Sequence, residues 1–226
     1  MQKLIHPDLH FVFPVVKSAK MKTPISDEYI NEWRNLLLEN PYIDLEEWLG
    51  AMGADENAQA LIYTEESGNI LRKLNLKSFE SEYKVMIIWL PEKMKTECSN
   101  KLLKILEEPY PNTLFLLVAE HAEEIINTIL SRTQRINIPP LTQKDITEQL
   151  MQQKRLVRES AEEVAHVASG SWLKALRMLN ETDESVYNQE KFMQMMRLCW
   201  ERKMLPVNEF VNELASLGRE KQKSFL

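Results

Sequence analysis

Residues Tyr83 to Leu90 read YKVMIIWL, a nearly continuous apolar run with several β-branched members. Such a run is typical of a strand that is covered on both faces of a sheet. A second run, LFLLVA from Leu114 to Ala119, follows a segment with apolar residues at helical spacing that Pro109 ends. Two buried strands joined by a helix predict parallel pairing through a right-handed crossover.

Further elements extend outward from this pair. The stretch FVFPVV, Phe11 to Val16, predicts a strand, and Pro14, which has no N–H to donate, either places that strand at a sheet edge or ends it. Ser26 and Asp44 each precede a helical pattern and are suitable N-caps. The remaining predicted elements of this part are a helix over 65–74, a helix over 125–130 and a short strand over 135–138. The fold class is therefore α/β with a parallel sheet.

After Pro139-Pro140 the pattern is helical only. Thr142, Glu159 and Ser171 begin three helices, and Gly170 separates the second from the third. The polar stretch over 181–185 predicts a linker, followed by helices over 186–201 and 206–217 with Gly218 behind them. We expect three domains, 1–139, 140–182 and 183–226.

Composition narrows the function classes. The 226 residues carry a net charge of −6 and a pI near 5.4, which does not favour a protein that binds nucleic acid by itself. The two cysteines form no CxxC pair, so no zinc site is indicated and a reducing compartment fits. No stretch approaches the roughly 20 apolar residues of a membrane helix, and no signal peptide is evident. The sequence predicts a cytoplasmic protein.

Three motifs carry a family resemblance. Cys98 to Pro109 reads CSNKLLKILEEP and resembles the NALLKxLEEP signature of bacterial clamp-loader subunits of the AAA+ superfamily. Ser131-Arg132-Thr133 resembles the Ser-Arg-Cys motif of that family, with Thr in place of Cys. Gly170 to Leu176, GSWLKAL, resembles the GSxxxAL motif of its lid domain, here Gly170, Ser171 and Lys174 with their neighbours. The motifs follow the family's order and spacing, and the resemblance covers about residues 4–179.

The resemblance implies a partial AAA+ ATPase-type domain over 1–139, a small three-helix lid over 140–182 and the start of a helical collar over 183–226. The segment HPDLH, His6 to His10, is similar to the family segment that follows a zinc-binding module. We therefore expect the chain to be a piece of a longer protein, without the upstream nucleotide-binding loop and most of the collar.

Three features predict that the chain does not hydrolyse ATP. None of the five glycines is followed by Lys, as a phosphate-binding loop requires. ATP-hydrolysing relatives end the strand corresponding to 85–88 in Asp-Glu, whereas this strand runs into Trp89 and Leu90, which cannot hold a hydrated Mg²⁺. Glu92 lies three positions beyond the first acidic position. In the lid, Leu173 stands where nucleotide-binding relatives have Arg, and Lys174 is one residue away. We expect no cofactor and no intrinsic activity.

The resemblance assigns a different role to Arg132. In the family, the Arg of this motif projects into the ATP site of the neighbouring subunit, where a guanidinium stabilises charge on the transferring phosphoryl group. Ser131 would end the helix and orient Arg132, and Thr133 would pack in place of Cys. Considered alone, an arginine is most often a solvated surface cation. The upstream signature favours the arginine finger.

The resemblance thus implies a non-hydrolysing subunit of the DNA polymerase III clamp loader, which loads the sliding clamp onto primed DNA during replication. Its partners would be the ATP-binding gamma or tau subunits and the clamp-opening delta subunit. Two alternatives stay open. One is an ATP-hydrolysing gamma- or tau-type subunit whose phosphate-binding loop lies upstream, and the other is a protein-interaction module on the same fold outside replication.

Other conspicuous residues have structural interpretations. His6 and His10 flank Asp8, but Pro7 prevents a shared helical face, so we expect no metal site. Glu107 and Glu108 are adjacent at the end of a helix and do not face each other. A structural role is expected for them rather than acid–base catalysis. Cys98 lies on the apolar side of its helix and is expected to be a buried small hydrophobe.

Overall fold

Three parallel strands organise the amino-terminal part of the computed structural model, which describes residues 3–17, 23–54, 58–201 and 204–216. The strands are β1 (Leu9–Val12), β2 (Lys84–Trp89) and β3 (Thr113–Val118), in the order β1-β2-β3. In the register of the sheet, Ile87 of β2 lies beside Phe11 of β1 and Leu116 of β3. The parallel pairing predicted for the two apolar runs is confirmed.

The side chains of β2 alternate between two apolar clusters. Met86 and Ile88 pack with helices α3 (Thr64–Asn75) and α4 (Thr96–Glu107) on one side of the sheet. Ile87 and Trp89 pack on the other side with α1 (Ile30–Glu39) and α2 (Leu45–Ala51). A strand that is apolar on both faces is the expected result of covering a sheet with helices on both sides.

The first helices begin in two different ways. The Asp44 carboxylate accepts a hydrogen bond of 3.0 Å from the Glu47 N–H, so Asp44 caps α2 as predicted. The prediction that Ser26 caps a helix is wrong, since Ser26 begins a 3₁₀ turn and its buried hydroxyl donates to the Phe13 carbonyl and to Glu66 instead. The hydroxyl is thus used between elements and not within one.

Two predictions for the part of the chain from β3 to residue 138 are corrected. β3 is not covered on both faces, because Leu114, Leu116 and Val118 alternate as exposed residues along it. The strand expected over 135–138 does not form, and Ile136 and Ile138 are 78% and 88% exposed. Within the described ranges no strand pairs with this segment, so its backbone is not part of a hydrogen-bonded ladder.

Residues 138–226 form a second compact unit, separate from 1–137. The short helix α5 (Asn127–Leu130) is the last helix of the first unit. The core of the second unit is formed by α6 (Gln143–Lys154), α7 (Arg158–Ala168) and the start of α8 (Trp172–Glu201). Small residues on α7 and α8 allow close packing around Ile146 and Leu150. The buried members of this core are Ile146, Leu150, Ala161, Ala165, Ala168, Trp172 and Ala175.

The linker expected over 181–185 is wrong, because α8 continues through it as one helix. Its residues include no Gly or Pro, so nothing in the backbone chemistry ends the helix there. Helix α9 (Met204–Ser216) follows, and the helix end expected at Gly218 lies outside the described residues. The division into three domains stays a prediction. Among the described helices, none has the length and apolar character needed to span a membrane.

Candidate functional site

Trp89 ends β2 and Leu90 follows it, and both positions, where an ATP-hydrolysing subunit was expected to carry an acidic pair, are filled by apolar side chains. Trp89 is 8% exposed and Leu90 is 2% exposed. The Trp89 ring lies 5.0 Å from the Trp33 ring between centroids. Leu90 donates its N–H to the Val118 carbonyl at 2.8 Å, which fixes the chain at the end of the sheet. Neither side chain offers an oxygen ligand to a cation.

Glu92, the nearest acidic residue, is bonded to the turn that follows β3. Its Oε1 accepts hydrogen bonds from the backbone N–H groups of Glu120 at 2.9 Å and His121 at 3.1 Å. Burial, and then the charges of Glu92 and Asp44, raise the pKa of Glu120. Glu92 thus connects the ends of the two neighbouring strands.

Arg132 lies just beyond α5, with its side chain 30% exposed. Its Nε and Nη2 both donate to Oε2 of Glu107, at 3.1 and 3.0 Å. Its Nη1 donates to the Thr128 carbonyl at 2.9 Å. The guanidinium is therefore held on the surface by its own chain and is not locked in the interior.

Ser131 and Thr133 close the helix on either side of this arginine. The Ser131 hydroxyl donates to the Thr128 carbonyl at 3.2 Å, and the Thr133 hydroxyl donates to the Ile129 and Leu130 carbonyls at 3.2 Å. The contact of Ser131 with Arg132 is the weaker one, since Nη1 lies 3.5 Å from Oγ. Thus Glu107, and not Ser131, makes the closest side-chain contacts with the guanidinium.

The pairing of Glu107 with Arg132 could not be predicted from the sequence. The two residues are 25 positions apart, and they belong to separate motifs. Opposite charge is the one signal that the sequence offers, and it does not select one pair among many charged residues.

The motif GSWLKAL, Gly170 to Leu176, makes contacts that mainly support the local backbone. Gly170 has a φ of +89°, and a Cβ added to it would lie 2.5 Å from the Pro140 Cβ. The Ser171 hydroxyl accepts from the Lys174 N–H at 3.2 Å and so caps α8, while Lys174 itself is exposed. Leu173 is half-buried. Gly170 and Ser171 therefore set the start of α8, and Lys174 has no part in the core.

Two buried charges hold the segment between α3 and β2. The Asp8 carboxylate accepts from the backbone N–H groups of Phe79, Glu80 and Ser81 at 2.7, 2.8 and 2.9 Å. Burial alone would raise the pKa of Asp8, but these three donors outweigh it and hold the pKa at about 2. The Lys84 ammonium donates to three carbonyls at the end of α3, those of Lys73, Leu74 and Leu76. Burial lowers the pKa of Lys84.

A third buried charge joins α3 to the turn before α1. Glu66 accepts from the Ser26 N–H at 2.6 Å and from the Asn69 amide at 3.0 Å. Asn69 also donates to Asp27, which pairs with Lys73. Burial raises the pKa of Glu66. The donors around this carboxylate are the compensation that a buried acidic group needs.

His6 and His10 do not come together around a common ligand. His6 accepts from the Asp8 N–H at Nδ1 and lies 3.4 Å from Glu80 at Nε2. The pKa of His10 falls to about 4 through burial and the charges of Lys73 and Lys84. Across the described part of the chain, no three His, Cys, Asp or Glu side chains are grouped to bind a metal ion. Cys98 is buried as expected, and burial raises the pKa of its thiol to about 12.

Comparison with known proteins gives one family over more than half of the chain. Residues 1–142 match the family model described as DNA polymerase III, delta subunit. A DNA polymerase III subunit delta' from Bacillus subtilis is 38% identical over 74 residues, which are 33% of this chain and 22% of that protein. A subunit delta' from Haemophilus influenzae is 44% identical over 55 residues, 24% of this chain and 17% of that protein.

Two further similarities involve differently named subunits. A DNA polymerase III subunit tau from Bacillus subtilis is 32% identical over 104 residues, 44% of this chain and 18% of that protein. The crystal structure of a gamma subunit-related protein from Thermotoga maritima has a TM-score of 0.42 and 19% identity, covering 73% of this chain and 57% of that one. The matched residues span about a fifth of the length of each of the three curated relatives.

Proposed function

The chain belongs to the DNA polymerase III delta subunit family, and from this premise we propose that it serves as a delta-prime-type, non-hydrolysing subunit of a bacterial clamp loader. In this role it holds its place in the ring of subunits and supplies Arg132 to the ATP site of a neighbour. The named relatives include two delta' subunits. They support the delta-prime type.

The position of Arg132 is the observation that carries the proposal. Its guanidinium lies at the surface, and its hydrogen bonds at 2.9 to 3.1 Å go to Glu107 and Thr128 of the same chain. Arginine presents five N–H donors in a rigid fork that matches the oxygens of a phosphate. A surface arginine fixed in this way is suited to contact a phosphate that another subunit holds.

The packing at the end of β2 supports the absence of ATP hydrolysis. Trp89 and Leu90 belong to the apolar cluster around Trp33 and Trp48, on the face of the sheet covered by α1 and α2. A metal–nucleotide complex needs acidic or polar oxygens at this end of the strand. The packing leaves hydrophobic side chains in their place.

The partners follow from the proposed role. They are ATP-binding gamma or tau subunits, the delta subunit, and, through the assembled complex, the sliding clamp and primed DNA. The net charge of −6 favours contact with proteins before contact with DNA. No resident cofactor is proposed.

The test replaces Arg132 in the full-length subunit within a reconstituted clamp loader. Because one arginine finger is worth about 10³-fold or more in phosphoryl transfer, R132A should slow clamp loading and DNA-stimulated ATP hydrolysis by at least about tenfold. R135A is the matched control, since Arg135 is also exposed and its Nε donates to its neighbour Asn137 at 2.9 Å. Equal rates for R132A and wild type would refute the arginine finger.

A second candidate is a tau- or gamma-type subunit that hydrolyses ATP. The 32% identity to a subunit tau over 104 residues favours it. Equilibrium binding of Mg·ATP to the full-length protein separates the two candidates. Tight binding with turnover by the protein alone would support the second candidate and exclude the first.

A further inference from the structure

Glu107 occupies an electrostatically unfavourable position. It is the last residue of α4, and a second carboxylate, Glu108, follows directly. A carboxylate at a helix carboxyl terminus is repelled by the partial negative charge of the unpaired carbonyl groups there. The Arg132 guanidinium, which donates to Oε2 of Glu107, opposes this repulsion.

The contact fixes one side of the guanidinium. Oε2 of Glu107 accepts from Nε at 3.1 Å and from Nη2 at 3.0 Å, while Nη1 donates to the Thr128 carbonyl at 2.9 Å. Three of the five N–H groups of Arg132 are thus bonded to its own chain. The donors that remain are on Nη1 and Nη2, and one of them lies 3.5 Å from the Ser131 hydroxyl, a contact weak enough to be exchanged.

The ion pair contributes little to folding. The side chains of Arg132 and Glu107 are 30% and 59% exposed. Surface pairs of this kind add little to the stability of a protein, because solvent screens them and two flexible side chains must be ordered. The consequence of the contact is instead the orientation of the arginine, whose side chain would otherwise sample many rotamers.

We propose that Glu107 is the positioning residue of Arg132, holding the guanidinium by its Nε–Nη2 side so that its remaining N–H groups are presented to a phosphate on a neighbouring subunit. This inference rests on the proposed function of Arg132. Glu107 acts only through Arg132 and contacts no phosphate itself. A positioning residue holds the side chain that contacts the ligand in its productive geometry before the ligand binds.

A double-mutant cycle in the reconstituted full-length clamp loader tests the proposal. E107Q should lower kcat of DNA- and clamp-stimulated ATP hydrolysis by about threefold to tenfold, the loss expected when one long side chain must be ordered during the reaction. KM for ATP should stay unchanged, since the neighbour holds the nucleotide. In the R132A background, E107Q should have no further effect. E108Q, a change at the adjacent exposed carboxylate, should be silent in both backgrounds.

The outcomes are distinguishable. If R132A slows the loader and E107Q leaves kcat unchanged or raises it, the positioning role is refuted and the finger stands. The same conclusion follows if E107Q costs as much in the R132A background as alone. If R132A itself is silent, the proposed function fails and the role of Glu107 fails with it.

A second measurement uses the chain alone. The Nε–H proton of Arg132 can be assigned in a ¹H–¹⁵N spectrum by its loss in R132A. Its exchange with water should be faster in E107Q by about threefold or more, because a charge-assisted acceptor is replaced by a neutral one, and unchanged in E108Q. Equal exchange in E107Q and wild type would overturn the geometric basis of the proposal.

Discussion

Gly170 and Pro140 approach each other so closely that a Cβ on Gly170 would lie 2.5 Å from the Pro140 Cβ. The Gly170 carbonyl also accepts the Leu141 N–H at 3.1 Å, which fixes the segment before α6 against the turn before α8. The glycine of the lid motif is therefore required by space and by its φ of +89°.

We expect G170A to destabilise residues 138–216 by about 2 kcal/mol or more, because it combines a steric clash with a strained backbone. The free energy of unfolding in urea, followed by circular dichroism, is the measurement. G50A is the matched control. Gly50 lies in α2 with nothing within 4 Å of an added Cβ, so this change should be neutral or stabilise by up to about 1 kcal/mol. Equal effects of the two changes would contradict the steric explanation.

D8N should destabilise the first unit by about 1.5–3 kcal/mol, since an amide replaces the charged acceptor of three backbone N–H groups. The folded pKa of Asp8, about 2, lies below its unfolded value of 3.8. Its contribution is therefore fully present above pH 3.8 and is lost as the pH falls through 2. The free energies of unfolding in urea of wild type and D8N should be measured between pH 7 and pH 2. The difference between the two proteins should shrink only below about pH 4. A difference that is independent of pH would contradict the assigned role.

K84M keeps the length of the side chain and removes the ammonium from the three carbonyls at the end of α3. We expect the free energy of unfolding to fall by about 1–3 kcal/mol, because these carbonyls lose their buried donor. Hydrogen exchange should become faster over residues 76–83. K101M, at an exposed position on α4, is the control and should change the stability by about 0.5 kcal/mol or less. Unchanged exchange in K84M would show that Lys84 does not hold the segment.

L90E tests whether the end of β2 belongs to the core. Leu90 is almost completely buried, so a glutamate there would carry an uncompensated charge into the apolar cluster around Trp89. We expect a loss of about 3 kcal/mol or more. L76E, at an exposed apolar position, should be close to neutral. A folded L90E variant of wild-type stability would mean that this position can accept an acidic residue. The apolar packing would then no longer be evidence against ATP hydrolysis.

The sequence predicted the elements whose periodicity is strong. The apolar run over 83–90 and the helix before Pro109 appear as β2 and α4, with ends shifted by one or two residues. Burial on both faces of β2 follows directly from its composition. The expected strand over 135–138 failed because a strand needs a neighbour, and a local pattern does not show whether one is present.

The predicted linker over 181–185 failed for a different reason. Polar composition does not by itself distinguish a loop from a helix. Without Gly or Pro, the helix simply continues. The motif residues Arg132, Gly170 and Ser171 were identified from their sequence context, but their contacts were not. The hydrogen bonds of Glu107 with Arg132 join residues 25 positions apart, and those of Asp8 with its backbone donors join residues 71 to 73 positions apart. Those of Lys84 span 8 to 11 positions and so lie within one local segment.

The close packing of Trp33 with Trp48 and Trp89, at 5.1 and 5.0 Å between ring centroids, also makes the chain an optical reporter. At these separations excitation energy passes among the three indoles, so their emission responds as one signal from the first unit. Trp172 lies in the core of the second unit, whereas Trp200 is exposed. Replacing Trp172 and Trp200 by phenylalanine would leave the three tryptophans of the first unit as the source of the chain's indole fluorescence.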